Sequence, residues 1–139
     1  MPSLLHIDTS IRRTSSTTRE LSSYFADEWR RDRPDAVYTY RDLAVEPIPH
    51  LTSAVRDYIM NPDGDHGATA EERAHVDAVA AEVRNAPIVL LGIPMYNYTI
   101  PSTLKAWIDY LVSPTAMVAV GAETGPLRPT EEISSEGSR

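Results

Sequence analysis

The segment "PIVLLGI" at residues 87–93 is apolar along its length and does not alternate with polar residues. A strand with one solvated face alternates; one that does not must be covered on both faces, as parallel strands between helical layers are. Its neighbours agree. In "TAEERAHVDAVAAEVRNA", Thr69 and Glu72 have capping-box spacing, and Val76, Val79, Ala80 and Val83 share one helical face. This predicts a helix over 70–85. A second helix is expected over 102–112, with Leu104, Trp107, Ile108 and Leu111 as its buried stripe and Pro101 in its first turn.

Upstream, "SLLHID" at 3–8 reads as a short buried strand and "TSIRRTSS" at 9–16 as a polar loop. A helix is predicted over 17–33, opened by a Thr17–Glu20 capping box and stopped by Pro34. Its buried face is expected to carry Leu21, Tyr24, Phe25 and Trp29. "AVYTY" at 36–40 reads as a second strand. The order is β-α-β-α-β-α, the pattern of an α/β doubly wound sheet. The connection over 43–68 is turn-rich and holds one short helical segment, "SAVRDYIM". Connections this long are usually functional or mobile. We expect one domain over 1–120 and a disordered polar tail over 121–139.

Composition removes several function classes. There are no cysteines, so disulfides, thiol redox chemistry and cysteine-based zinc sites are excluded. Net charge is −7, which disfavours a nucleic-acid partner. Arg30, Arg31 and Arg33 read as a solvated helix end. The start, "MPSLLHIDTS", lacks the basic and apolar regions of a signal peptide, and no run is long enough to span a membrane. A cytoplasmic protein is expected. His6, His50, His66 and His75 are scattered. The loop from Asp63 has Ala74 where a calcium loop needs Glu, so no metal site is expected. No G-x-S-x-G elbow anchors a hydrolase triad.

In an open parallel sheet, ligands bind beyond the carboxyl ends of the strands. Two loops qualify. The first, "DTSIRRTSSTTRE", has neither a G-x-G-x-x-G nor a Walker lysine. It brings Ser10, Ser15, Ser16, Thr17 and Thr18 to a helix N-terminus, with Arg12, Arg13 and Arg19 nearby. Free amides and the helix dipole there favour an anion. Ser and Thr are also ordinary caps, but one cap needs one hydroxyl and this loop holds a cluster. The second, "PMYNYT", offers Met95 and Tyr96 for stacking, Asn97 for bonding a polar edge, and Tyr98; ordinary rim aromatics are the alternative. Together the loops describe a phosphate tethered to a planar ring, a shape that flavin mononucleotide (FMN) fits.

The stretches "SLLHIDTSIRRTSSTTRELSSYFADEWR", "YRDLAVEPIPHL" and "PMYNYTIPSTLKAWIDYLV" resemble the FMN-dependent NADH azoreductases and quinone reductases over about residues 3–112. The resemblance implies a flavodoxin-like sheet, here with three clear parallel strands in the order 2-1-3, and a homodimer. It implies that Ser10, Ser16, Thr17 and Thr18 hold the FMN phosphate. Met95, Tyr96, Asn97 and Tyr98 would line the isoalloxazine. Hydride would pass from NADH or NADPH through the flavin to a quinone or azo compound, with no acid–base residue required.

The sequence departs from that family after the last helix. The Ser-Arg-Gly-Gly type loop that ends the family's fourth strand is not found, and "AMVAVGAETGPLRP" stands where the family approaches that strand. The sheet is therefore expected to be incomplete, as in a truncated member. Its third strand becomes an open edge that invites a second copy or a partner chain. "TAMVAV" at 115–120 could close it as a short antiparallel strand. Two readings follow: a flavin-dependent reductase, or a truncated, non-catalytic relative acting as an interaction module.

Overall fold

The computed structural model describes residues 2–113. The expected strand over 115–120 and tail over 121–139 lie outside them. Seven elements follow one another: β1 (Ser3–Asp8), α1 (Thr17–Arg31), β2 (Val37–Asp42), α2 (Ser53–Met60), α3 (Ala70–Arg84), β3 (Ile88–Gly92) and α4 (Ser102–Leu111). The strands are parallel, in the order β2-β1-β3, as expected. β2 runs to Asp42, two residues past the predicted end, because its pairing with β1 continues to Asp8 opposite Asp42.

β1 alternates between two cores. Leu5 and Ile7 pack with Leu43, Val55, Val79, Leu104 and Trp107 on the face covered by α2, α3 and α4. Leu4 packs with Ala26 and Trp29 of α1 on the other face, where His6 and Asp8 are also buried. Helices on both faces of a parallel sheet make the doubly wound architecture. The α3 capping box forms as read: Thr69 Oγ1 accepts from the Glu72 amide at 3.1 Å, and Glu72 Oε2 accepts from the Thr69 amide at 2.8 Å.

Two local expectations are corrected. The α1 cap is Ser16, whose Oγ accepts from the Arg19 amide, one residue before the predicted Thr17. The α1 face against the sheet is Ser22, Ala26 and Trp29; Leu21, Tyr24 and Phe25 are 65%, 68% and 48% exposed. Small side chains at 22 and 26 let the helix approach the sheet closely, and Ser22 donates to buried Asp8 at 2.7 Å. A hydroxyl satisfying a buried carboxylate outweighs the larger but non-complementary residues next to it.

The exposed edge also has a cause in the order of strands. Covering on both faces was expected for the run at 87–93, yet Ile88, Val89, Leu91 and Ile93 are each more than a third exposed. β3 is the outer strand among the described residues, with β1 on one side. No helix of the described residues is long and apolar enough to cross a membrane.

Candidate functional site

The first loop leaves β1 at its carboxyl end and is fixed at both ends. Thr9 donates to the Gly92 carbonyl through its amide at 3.1 Å and its hydroxyl at 2.7 Å, tying it to the end of β3. At the other end Ser16 caps α1 and donates to Ser10 Oγ at 3.0 Å. Thr18 Oγ1 lies 3.1 Å from Ser16 Oγ. Ser10 and Ser16 are buried and form the floor of the loop, while Thr17 is exposed and Thr18 half-buried. The Arg19 amide is taken by Ser16, which leaves the Thr17 and Thr18 amides without an intrahelical acceptor. Arg12 and Arg13 of the same loop are exposed.

The second loop is a tight turn. Tyr96 and Thr99 exchange amide-to-carbonyl hydrogen bonds of 2.9 and 3.0 Å. Asn97 and Tyr98 between them have φ of 50° and 66°. Positive φ at both central residues is the geometry of a type I′ turn, in which glycine and asparagine are at ease and tyrosine is not. Among the described residues, the non-glycine residues with positive φ are Ser15, Asn97 and Tyr98, all in these two loops. Backbone strain of this kind clusters at functional sites.

The loops touch. The Ile11 amide donates to the Tyr96 hydroxyl at 3.0 Å, and Ser10 Oγ lies 3.4 Å from the same oxygen. Ser16 and the Asn97 turn therefore stand at neighbouring ends of the sheet. Beside the turn opens a cleft of about 1070 Å³ whose lining includes Ile11, His50, Met95, Tyr96, Asn97 and Ile100. Leu51 and the α4 residues Lys105 and Asp109 also line it. The Lys105–Asp109 pair, at 2.5 Å, is the i,i+4 contact expected from spacing.

Of the residues expected to hold a ring, Met95, Tyr96 and Asn97 line the cleft, whereas Tyr98 is 97% exposed and does not. Ser10, Ser16, Thr17 and Thr18 sit beyond Tyr96, in the adjoining loop rather than in the cleft lining. His50 and Leu51 were not singled out by sequence. Their signal was the long turn-rich connection itself.

Beneath the first loop lies a polar network that sequence reasoning missed. Asp8 accepts hydrogen bonds from Ser22 and Tyr40, at 2.7 and 2.8 Å, and faces His6 Nε2 at 3.2 Å. Burial pushes the Asp8 carboxyl up, but the hydrogen bonds from His6, Ser22 and Tyr40 outweigh it and the pKa lies below the ordinary value. Burial, and donation to Asp8, push the Tyr40 phenol up. Arg19 meets Asp42 in a two-pronged pair of 2.7 and 2.9 Å, which holds the Asp42 carboxyl below the usual range. Arg19 was expected to add positive charge to the loop. Its charge is instead absorbed by Asp42, with Asp8 at 3.7 Å.

Known proteins are similar to this chain. The family model for the flavodoxin-like fold matches residues 2–132. An FMN-dependent NADH:quinone oxidoreductase from Frankia casuarinae is 45% identical over 81% of this chain and 54% of its own length. One from Kineococcus radiotolerans is 38% identical over 99% of this chain and 66% of its own. This chain thus spans between about half and two thirds of these curated relatives. An azoreductase crystal structure from Bacillus anthracis Sterne superposes with a TM-score of 0.71, at 24% identity, over 81% of this chain and 56% of that one. An FMN-dependent NADH-azoreductase from Bacillus anthracis Ames Ancestor, in complex with FMN, has a TM-score of 0.66 at 18% identity, over 79% of this chain and 55% of that one. These last two likenesses concern the fold.

Proposed function

This chain belongs to the flavodoxin-like fold family that matches its residues 2–132, and on that premise we propose that it binds FMN and passes a hydride from NADH or NADPH to a quinone or azo acceptor. The observation that carries the reading is the Tyr96 hydroxyl, which joins the anion-competent loop to the cleft through Ile11 and Ser10. A phosphate and a planar ring on one short tether need those two surfaces adjacent.

The residues present fit such a group. The Thr17 and Thr18 amides, at the start of a 15-residue helix, offer donors to a phosphate. Their hydroxyls and the Ser10–Ser16 floor add polar groups, and exposed Arg12 and Arg13 add charge. Met95 and Asn97 line a cleft of sufficient volume, with an apolar side chain for the ring face and an amide for its polar edge. When bound, FMN supplies the redox chemistry; the chain binds it, orients it and leaves one side of the cleft open to an acceptor. Tyr98, fully exposed at the tip of the turn, is assigned to the far rim of the ring or to a neighbouring subunit.

β3, the outer strand among the described residues, and the exposed Leu21, Tyr24 and Phe25 of α1 present apolar surface. In this reading a second copy of the chain, or a partner chain, covers them. The compartment is the cytoplasm, which a cysteine-free sequence suits. The same surfaces favour a second reading, a non-catalytic flavodoxin-like interaction module whose pocket is not completed.

An absorbance scan and a flavin fluorescence titration on the purified chain test the first reading, with light scattering on the same peak for size. We expect quenching that saturates at one FMN per chain, and quinone-dependent NADH oxidation faster than with free FMN. Absence of quenching removes the flavin reading. Quenching with no turnover above free FMN leaves the interaction module.

A further inference from the structure

Arg19 carries a positive charge at the base of the anion-competent loop, which invites the idea that it grips the phosphate. The geometry argues otherwise. Its Nη1 donates to Asp42 Oδ2 at 2.7 Å and to the Tyr40 hydroxyl at 3.3 Å. Its Nη2 donates to Asp42 Oδ1 at 2.9 Å and to the Ser10 carbonyl at 2.6 Å. All four Nη protons are therefore engaged within the protein. The remaining donor, Nε, is buried without a partner. Two carboxylates, Asp42 and Asp8, stand within 4 Å of the guanidinium, so little of its charge is left for an incoming anion.

The other end of the pair is equally fixed. Asp42 is the last residue of β2 and lies opposite Asp8 in the parallel register. Its Oδ1 also accepts from the Ala44 amide at 2.9 Å, and the Leu43 amide donates to the Asp8 carbonyl at 3.0 Å. The Ser10 carbonyl is thus held by a rigid strand end through one planar, bidentate bridge.

We propose that the Arg19–Asp42 pair is a positioning clamp for the phosphate loop: it holds the Ser10 carbonyl inward, so that the Ser10–Ser16 floor stays formed and the Thr17 and Thr18 amides stay presented, without Arg19 touching the phosphate. This rests on the FMN reading above and names the part of the chain that would discriminate a phosphorylated flavin from its dephosphorylated form. Direct contact and clamping differ in what Asp42 does. If Arg19 were a phosphate ligand, removing the Asp42 charge would free it and hold or strengthen FMN binding. If it is a clamp, removing either partner loosens the same loop.

The test is fluorescence titration of FMN and riboflavin against the full chain and its Arg19→Met, Asp42→Asn and double variants, with circular dichroism melts on each. We expect each single variant to weaken FMN binding by about ten- to a hundredfold, as for loss of a charge-assisted pair. Riboflavin affinity should change little, and the double variant should be no weaker than the worse single one. Asp42→Asn binding FMN as well as wild type, or better, overturns the clamp. Equal losses for FMN and riboflavin that track the melting temperature also overturn it, leaving a purely structural pair. If Arg19→Met does not fold, Arg19→Lys is read by the same criteria, because it keeps the charge and loses the fork. A wild-type chain that binds neither flavin overturns the FMN reading itself; one that binds FMN while Asp42→Asn is unimpaired overturns the clamp alone.

Discussion

The Tyr96 hydroxyl accepts a hydrogen bond from the Ile11 amide at 3.0 Å and so fastens the loop after β3 to the loop after β1. The residue expected as a stacking surface is in this structure also a strut between the two halves of the site. Tyr96→Phe keeps the ring and removes the strut. A net hydrogen bond of about 1 kcal/mol predicts FMN affinity about fivefold weaker, with little change in the ring's packing. Fluorescence titration of wild type and Tyr96→Phe checks this, and equal affinities would detach the two loops energetically.

Gly92 closes β3 directly over the buried Asp8. A Cβ at this position would stand 2.5 Å from Asp8 Oδ1 and 3.2 Å from Ser22 Oγ. Gly92→Ala must therefore displace a carboxylate that bonds Ser22 and Tyr40. We expect destabilisation of roughly 1–3 kcal/mol, as for other overpacked cores, read as a lower denaturation midpoint in urea with unchanged slope.

Stability should fall on the acid side. Asp8 and Asp42 both titrate below the ordinary carboxylate value in the folded chain. Below their unfolded value, about 3.9, the unfolded chain binds more protons than the folded one. Their contribution is then full above that pH and is lost as pH falls through the folded values. Urea midpoints between pH 3 and pH 6 should show the decline, roughly in the range below pH 4, and Asp42→Asn should flatten part of it. A midpoint that rises on acidification contradicts the assignment.

Tyr98 holds φ at 66° with its side chain 97% exposed, so it carries backbone strain without compensating packing among the described residues. Tyr98→Gly should raise stability by about 1 kcal/mol, the left-handed penalty less the extra freedom of the unfolded chain. A thermal melt of the isolated chain checks it. If the variant of the isolated chain melts lower instead, the left-handed backbone at Tyr98 is not a net strain.

Much of the architecture was legible in the chain, because it depends on local chemistry. The unbroken apolar run of β3 and the Thr69–Glu72 box define their elements without reference to distant residues. The two loops stood out because hydroxyls cluster before α1 and aromatics follow β3, and strand ends are where open sheets bind ligands.

What failed was the choice of face on α1. Apolar periodicity selected Leu21, Tyr24, Phe25 and Trp29; Trp29 is buried, yet beside it the helix turns Ser22 and Ala26 inward rather than the other three. That choice is made by the partner surface: Gly92 and the Asp8 carboxylate leave room for small residues and demand a donor, which Ser22 provides. A helix read alone has no access to that demand.

The sequence by itself determined the order of elements, their parallel arrangement and the two stretches able to meet a ligand, since each follows from residue type and spacing along the chain. Only the tertiary structure decided that Arg19 is spent on Asp42 and Ser10, that Tyr96 ties the loops, and that His50 faces the cleft. Hydrogen bonds between residues separated by 9 to 86 positions depend on distance and angle in space, and no pattern along the backbone encodes those in advance.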